Sequence, residues 1–239
     1  MLTSFTAPGE SVSLGVGDTL EARFDFSLTG ALASTQNILR FAFLDSRSTG
    51  TADGNTRVSA DNHGVSNTAF SNYKGYMMGI NPLPPANSAN TVMVFSRRDA
   101  ANTALVTTVT DVYTDVGRGT SSATGLDSSG GLAAATLYTG VFTLARASDA
   151  AMSLTFTILN GTTGATVASL TVEDKDPAAW FSFDTFVIAG MRNNGIDGIT
   201  LENMTITLTS VPEPRSTAIG IGFSVTLALL AARFRRATK

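Results

Sequence analysis

Residues 19–28 read Thr-Leu-Glu-Ala-Arg-Phe-Asp-Phe-Ser-Leu, and every second one is apolar. Leu20, Ala22, Phe24, Phe26 and Leu28 fall on one side of an extended chain, and Glu21, Arg23, Asp25 and Ser27 on the other. That two-residue period belongs to a strand with one buried and one wet face. Working outward, further strands are predicted at 38–44, 91–97, 104–116, 137–146, 153–159, 166–172, 181–188 and 199–208. Turn-forming residues separate them, as in Asn160-Gly161-Thr162-Thr163-Gly164, which reads as a hairpin junction. In the last strand the apolar parity changes, from Ile199 and Leu201 to Met204, Ile206 and Leu208. One extra residue is needed to make that switch, so a bulge is predicted near Glu202 and Asn203.

No stretch of the first 210 residues has convincing helical periodicity, and no internal repeat is evident. Many short strands with turn punctuation predict an all-β fold, a two-sheet β-sandwich or jelly roll spanning residues 1–210. A chain of this length can close one large core. The absence of cysteine excludes disulfides, thiolate nucleophiles and cysteine-held metals. Of the 16 Lys and Arg residues, five lie beyond Pro214, which leaves 11 in the body against 19 Asp and Glu. An acidic body argues against nucleic acid, whose binding depends on neutralising phosphates.

Two long polar stretches interrupt the strands, at 45–73 and 118–131. The first carries Asp45, Asp53, Asn55, Asp61, Asn62 and His63, the single histidine. Oxygen-rich loops suit calcium, which makes Asp45, Asp53 and Asp61 candidate ligands. The spacing matches no EF-hand or nonapeptide calcium pattern, and a solvated loop is the simpler reading of these residues and of His63. No other cofactor is expected. Tyr73, Tyr76 and Trp180 are candidate glycan contacts, since an aromatic face suits the apolar side of a sugar ring, although a core or corner role is commoner. Asp176-Pro177 marks a turn just before Trp180.

The sequence has no Gly-x-Ser-x-Gly elbow, His-Glu-x-x-His pair or phosphate loop. Glu173-Asp174-Lys175-Asp176 is the densest acidic cluster and reads as a solvated turn before Pro177. The expectation is therefore a non-enzyme. A polysaccharide-degrading enzyme with an unrecognised carboxylate site stays open as the alternative, because sequence alone does not exclude two carboxyls about 5 Å apart on neighbouring strands.

The C-terminal part has a different character. Val211-Pro212-Glu213-Pro214 and Arg215 precede residues 216–232, which contain no charged side chain, and Arg233, Arg235, Arg236 and Lys239 follow. At ~1.5 Å rise the uncharged run spans roughly 25 Å as a helix, slightly short of a bilayer core, so flanking arginines would snorkel. It is apolar all round, which suits lipid better than a half-exposed surface. The basic cluster is expected to stay on the cytoplasmic side, with the body outside. Pro212 and Pro214 lack N–H groups, and each biases its predecessor toward extended geometry, so 211–214 is expected to be unpaired and open to an enzyme.

This order of Pro-Glu-Pro motif, membrane helix and basic tail resembles the PEP-CTERM sorting signal of exopolysaccharide-making bacteria. The resemblance covers residues 211–239, with the motif at 211–214, the transmembrane helix at 216–232 and the basic tail at 233–239. It implies processing by a membrane-embedded exosortase. The body loosely resembles concanavalin- or laminin-G-like jelly rolls, through Gly17-Asp18-Thr19-Leu20, Phe41-Ala42-Phe43-Leu44-Asp45-Ser46, Phe183-Asp184-Thr185-Phe186 and Ile199-Thr200-Leu201-Glu202-Asn203. Together these imply an inner-membrane-tethered precursor that becomes a surface or extracellular protein, structural or glycan-binding in exopolysaccharide. A plain membrane-anchored surface protein is the nearer alternative. The first 11 residues have neither a basic nor an apolar segment of the kind a secretory signal carries, so an upstream start is expected.

Overall fold

A computed structural model of the chain describes residues 1–7, 9–30, 39–46, 70–71, 73–83, 91–99, 103, 105–106, 112–120, 124–126, 131–190 and 196–212. Met1–Thr209 forms one compact unit and Ser210–Lys239 a second. Within the first unit the described residues form thirteen strands and no α-helical element. They are β1 (Leu2–Ser4), β2 (Val12–Ser13), β3 (Thr19–Thr29), β4 (Leu39–Asp45), β5 (Lys74–Ile80), β6 (Thr91–Arg98), β7 (Tyr113–Thr120), β8 (Tyr138–Ser148), β9 (Ala151–Asn160), β10 (Thr166–Asp174), β11 (Ser182–Phe183), β12 (Thr185–Gly190) and β13 (Gly198–Thr209).

A six-stranded sheet runs β1-β12-β4-β5-β6-β7 and a five-stranded sheet runs β10-β9-β8-β3-β13; β2 and β11 pair as a short ribbon. Every pairing is antiparallel. The expected all-β sandwich is present: one buried cluster draws side chains from both sheets, including Phe24 and Phe26 on β3, Phe41 and Phe43 on β4, Phe142 on β8, Phe156 on β9 and Phe186 on β12. Phe41 and Phe156 stack across the interface with ring centroids 4.8 Å apart. Each such side chain contributes roughly 1.5–3 kcal/mol by leaving water.

β3 follows its alternation, with Leu20, Ala22, Phe24, Phe26 and Leu28 all buried. The bulge on β13 is where the parity change places it. Glu202 pairs Asp25 and Thr205 pairs Arg23, leaving one residue too many on β13, and Asn203 adopts φ 50°. At the β9–β10 hairpin Asn160 Oδ1 accepts the N–H groups of Thr162 (3.0 Å) and Thr163 (2.9 Å), and Gly164 takes φ 72°.

Two expected strands are drawn differently. The one expected over 104–116 starts only at Tyr113 and continues to Thr120, while Leu105 and Val106 lie in bends. Those two residues belong to a second buried cluster with Ala42, Leu44, Phe70, Tyr73, Met77, Val112, Tyr113 and Val187, on the outer side of the six-stranded sheet. Covering that sheet used their apolar side chains without extending the ladder. The strand expected over 181–188 breaks at Asp184, whose carboxylate accepts from the Ser46 N–H (2.9 Å), the Ser46 hydroxyl and Thr185 Oγ1 (2.7 Å).

Strand β5, Lys-Gly-Tyr-Met-Met-Gly-Ile, was not expected. It lies between β4 and β6 with both faces covered, and at Gly75 (φ 138°) an added Cβ would stand 2.2 Å from the Phe43 carbonyl oxygen. Residues 216–232 and 233–239 lie outside the described residues; among the described ones no helix is long and apolar enough to cross a membrane.

Candidate functional site

β6 has its alternate residues Met93, Phe95 and Arg97 at core positions, and β10 does the same with Ala168, Leu170, Val172 and Asp174. The last inward position of each strand is therefore charged, and the two charges meet. Arg97 Nη1 donates to both Asp174 oxygens, at 2.8 and 2.7 Å, with each side chain 5% exposed. Two more carboxylates complete the guanidinium. Arg97 Nε donates to Asp99 Oδ1 (2.6 Å) and Nη2 lies 3.3 Å from Asp176 Oδ2. Burial works against the Arg97 charge, but the hydrogen bonds to Asp99 and Asp174 outweigh it and hold the group above the usual arginine range. Removing one partner of such a buried pair typically costs about 3–5 kcal/mol.

Tyr76 joins the network from β5. Its hydroxyl donates to Asp174 Oδ2 (2.9 Å) and accepts the backbone N–H of Trp180 (2.9 Å). Burial pushes the Tyr76 phenol far above its ordinary range. Trp180 is tied again at its indole, where Nε1 donates to Asp45 Oδ2 (3.3 Å). The 176–180 turn is fixed by Asp176, whose Oδ1 accepts the Ala178 N–H (2.8 Å) and whose carbonyl accepts the Ala179 N–H (2.8 Å). The Ala178 N–H, and beyond it Arg97, hold the Asp176 carboxyl below the usual aspartate range.

These residues border an open cleft of ≈ 480 Å³ lined by Lys74, Arg97, Arg98, Asp99, Trp180 and the turn 176–179. Arg97 is submerged beneath it, while Asp99 and Asp176 reach the surface with side chains 32% and 50% exposed. Lys74 Nζ donates to the Asp99 carbonyl. The chemistry on offer is two carboxyl acceptors clamped by one guanidinium, beside a half-buried indole whose position is set at two points.

The candidate aromatic residues separate here. Trp180 lines the cleft; Tyr76 (0% exposed) and Tyr73 (1%) are enclosed, Tyr76 in the main core and Tyr73 in the second cluster, so neither offers a ring face to a sugar. Asp45, a candidate calcium ligand, is buried beside the Trp180 indole, whereas Asp53, Asp61 and His63 lie outside the described residues. No cluster of three or more metal-binding side chains occurs among the described residues. Val211 and Pro212 are exposed; Glu213, Pro214 and the basic residues Arg233, Arg235, Arg236 and Lys239 fall outside the description.

The Glu173–Asp176 segment corrects the sequence reading. Glu173 and Lys175 face outward and pair with each other at 3.0 Å, but Asp174 is in the core. Strand parity carries that signal: Asp174 continues the inward series of Ala168, Leu170 and Val172. No protein-family model matches the chain, and no curated protein shows significant similarity to it.

Proposed function

We propose that the chain is an exported surface or extracellular-matrix protein, sorted by an exosortase through Val211–Pro214, with a non-catalytic body of the concanavalin-like jelly-roll type. The observation that carries this reading is the position of the motif. The compact body is complete at Thr209, the final residue of β13, and the Pro-Glu-Pro stretch follows within three residues. A processing enzyme could remove everything beyond that point without touching a strand. The uncharged run and basic cluster then act as a temporary membrane tether with the body outside the cytoplasm. After processing, the body is a component of the cell surface or of exopolysaccharide.

The test is a fractionation of the native host expressing the wild-type chain or a Pro212→Ala, Glu213→Ala, Pro214→Ala triple variant. The reading expects wild-type body outside the membrane fraction and full-length variant accumulating within it. Equal distribution of the two proteins would remove the sorting role and leave a permanent anchor.

A further inference from the structure

We propose that the cleft between the end of β6 and the 176–180 turn is a saccharide subsite, taking a neutral sugar ring against Trp180 and its hydroxyl groups on Asp99 and Asp176. The proposal rests on the surface-protein reading for where polysaccharide is met. The site itself is argued from its own geometry.

Three properties of the cleft select this ligand class. The first is preorganisation. Trp180 is held through its backbone N–H by Tyr76 and through its indole N–H by Asp45. A rigid aromatic residue with one polar tip engaged offers its apolar surface at little further entropic cost. The second is the acceptor pair. Asp99 and Asp176 expose oxygens while Arg97 and the Ala178 N–H fix their positions. Fixed carboxylates accept strong charge-assisted hydrogen bonds from hydroxyl donors. The third is the mixed lining, in which Pro177, Ala178 and Ala179 adjoin these charges. A sugar ring likewise alternates C–H faces with an equatorial belt of hydroxyls. The volume of ≈ 480 Å³ lies within the ~300–1,000 Å³ typical of small-ligand sites.

Other ligand classes fit less well. An anion, including an acidic sugar or a phosphate, would meet two exposed carboxylates, and the Lys74 ammonium is already directed at the Asp99 carbonyl. A cation would have to compete with Arg97 for the same oxygens. An apolar ligand would strand both carboxylates.

Trp180 is the single tryptophan in the chain, so its fluorescence reports on this cleft alone. Purified protein should be titrated with cellohexaose, laminarihexaose and mannohexaose, and with hexaguluronate as the acidic comparison, in parallel with calorimetry. The expected result is a saturable change in emission with at least one neutral hexasaccharide and weaker binding of hexaguluronate. Asp176→Asn should reduce affinity about tenfold, as expected for losing one charge-assisted hydrogen bond, with the fold intact because the amide oxygen can still accept the Ala178 N–H and Arg97 keeps Asp99 and Asp174 as partners. Trp180→Phe should also bind more weakly by calorimetry. The proposal is overturned if no neutral probe binds at millimolar concentration by either method. Preferred binding of hexaguluronate, or unchanged affinity in both variants, would also overturn it. None of these results depends on processing of the tail, so the subsite can fail while the sorting role stands.

Discussion

The two sheets treat their outer faces in opposite ways. On the five-stranded sheet that face is wet: Glu21, Arg23, Asp25 and Ser27 on β3 share it with Thr143 on the neighbouring β8, with Ser153, Thr155 and Thr157 on β9 and with Ser169 and Thr171 on β10. Cross-strand pairs such as Thr155–Thr171 and Thr157–Ser169 are hydroxyl pairs at 3.0 Å. On the six-stranded sheet the outer face is a second core, where Ala42, Leu44, Met77 and Val187 are covered by Phe70, Tyr73, Leu105 and Val106. Two arginines bind the cover to the sheet. Arg40 Nη1 donates to the Val106 carbonyl (2.8 Å), and Arg98 Nη1 to the Tyr73 carbonyl (2.9 Å). Burial lowers the pKa of both groups. An antiparallel sheet with one solvated face writes its burial into sequence as alternation, and a sheet covered on both sides does not.

Placing the same charge on each outer face should expose the difference most sharply. Ala42→Lys puts an ammonium into the covered face and is expected to cost about 3 kcal/mol or more. Thr207→Lys, on the exposed β13 opposite Glu21, should stay within roughly 0.5 kcal/mol. Urea midpoints of the two variants give the comparison directly. Truncation should repeat the contrast without adding a charge: Leu44→Ala is expected to cost about 2–5 kcal/mol, and Arg23→Ala less than about 0.5 kcal/mol. Equal losses for Leu44→Ala and Arg23→Ala would mean that the second cluster contributes no packing energy.

Alkaline pH should attack the covered face through Tyr113, whose phenol burial pushes up to about 12. A raised pKa favours the fold while the phenol is protonated. That stability is complete below the unfolded value near 10 and is lost as pH rises from there through about 12. Tyr76, also raised by burial, adds to the same trend. Thermal melts between pH 8 and pH 12 should fall steeply above about pH 10, and Tyr113→Phe should flatten part of the fall. On the wet sheet the backbone, not burial, sets the one sizeable cost. Asn203→Val at the left-handed bulge position should cost about 1–2 kcal/mol, whereas Asn203→Gly should be near neutral.

What could be read from the sequence follows the same division. β3, the β9–β10 hairpin and the β13 bulge were legible, because each has an alternating wet face or specific turn chemistry. β5 was not, since a strand covered on both sides gives a continuous run, and its two glycines and two methionines carry little β preference. Leu105 and Val106 have strand-like residue types but serve as cover, a choice made by tertiary packing. In the cleft, Trp180 and the Asp176-Pro177 turn were visible beforehand. Arg97 and Asp174 were missed because charged residues at strand ends read as solvated. Their parity with Phe95 and Val172 was the available sign that both point inward.

The central claim, a finished β-sandwich followed by a removable sorting tail, is tested most directly by mass. Intact mass and C-terminal peptide mapping should be run on protein from the native host's membrane and extracellular fractions. The account predicts extracellular protein that contains β13 through Thr209 and lacks the residues beyond the 211–214 motif. An intact Lys239 terminus in every fraction would contradict it, making the tail a permanent anchor and ending the sorting assignment.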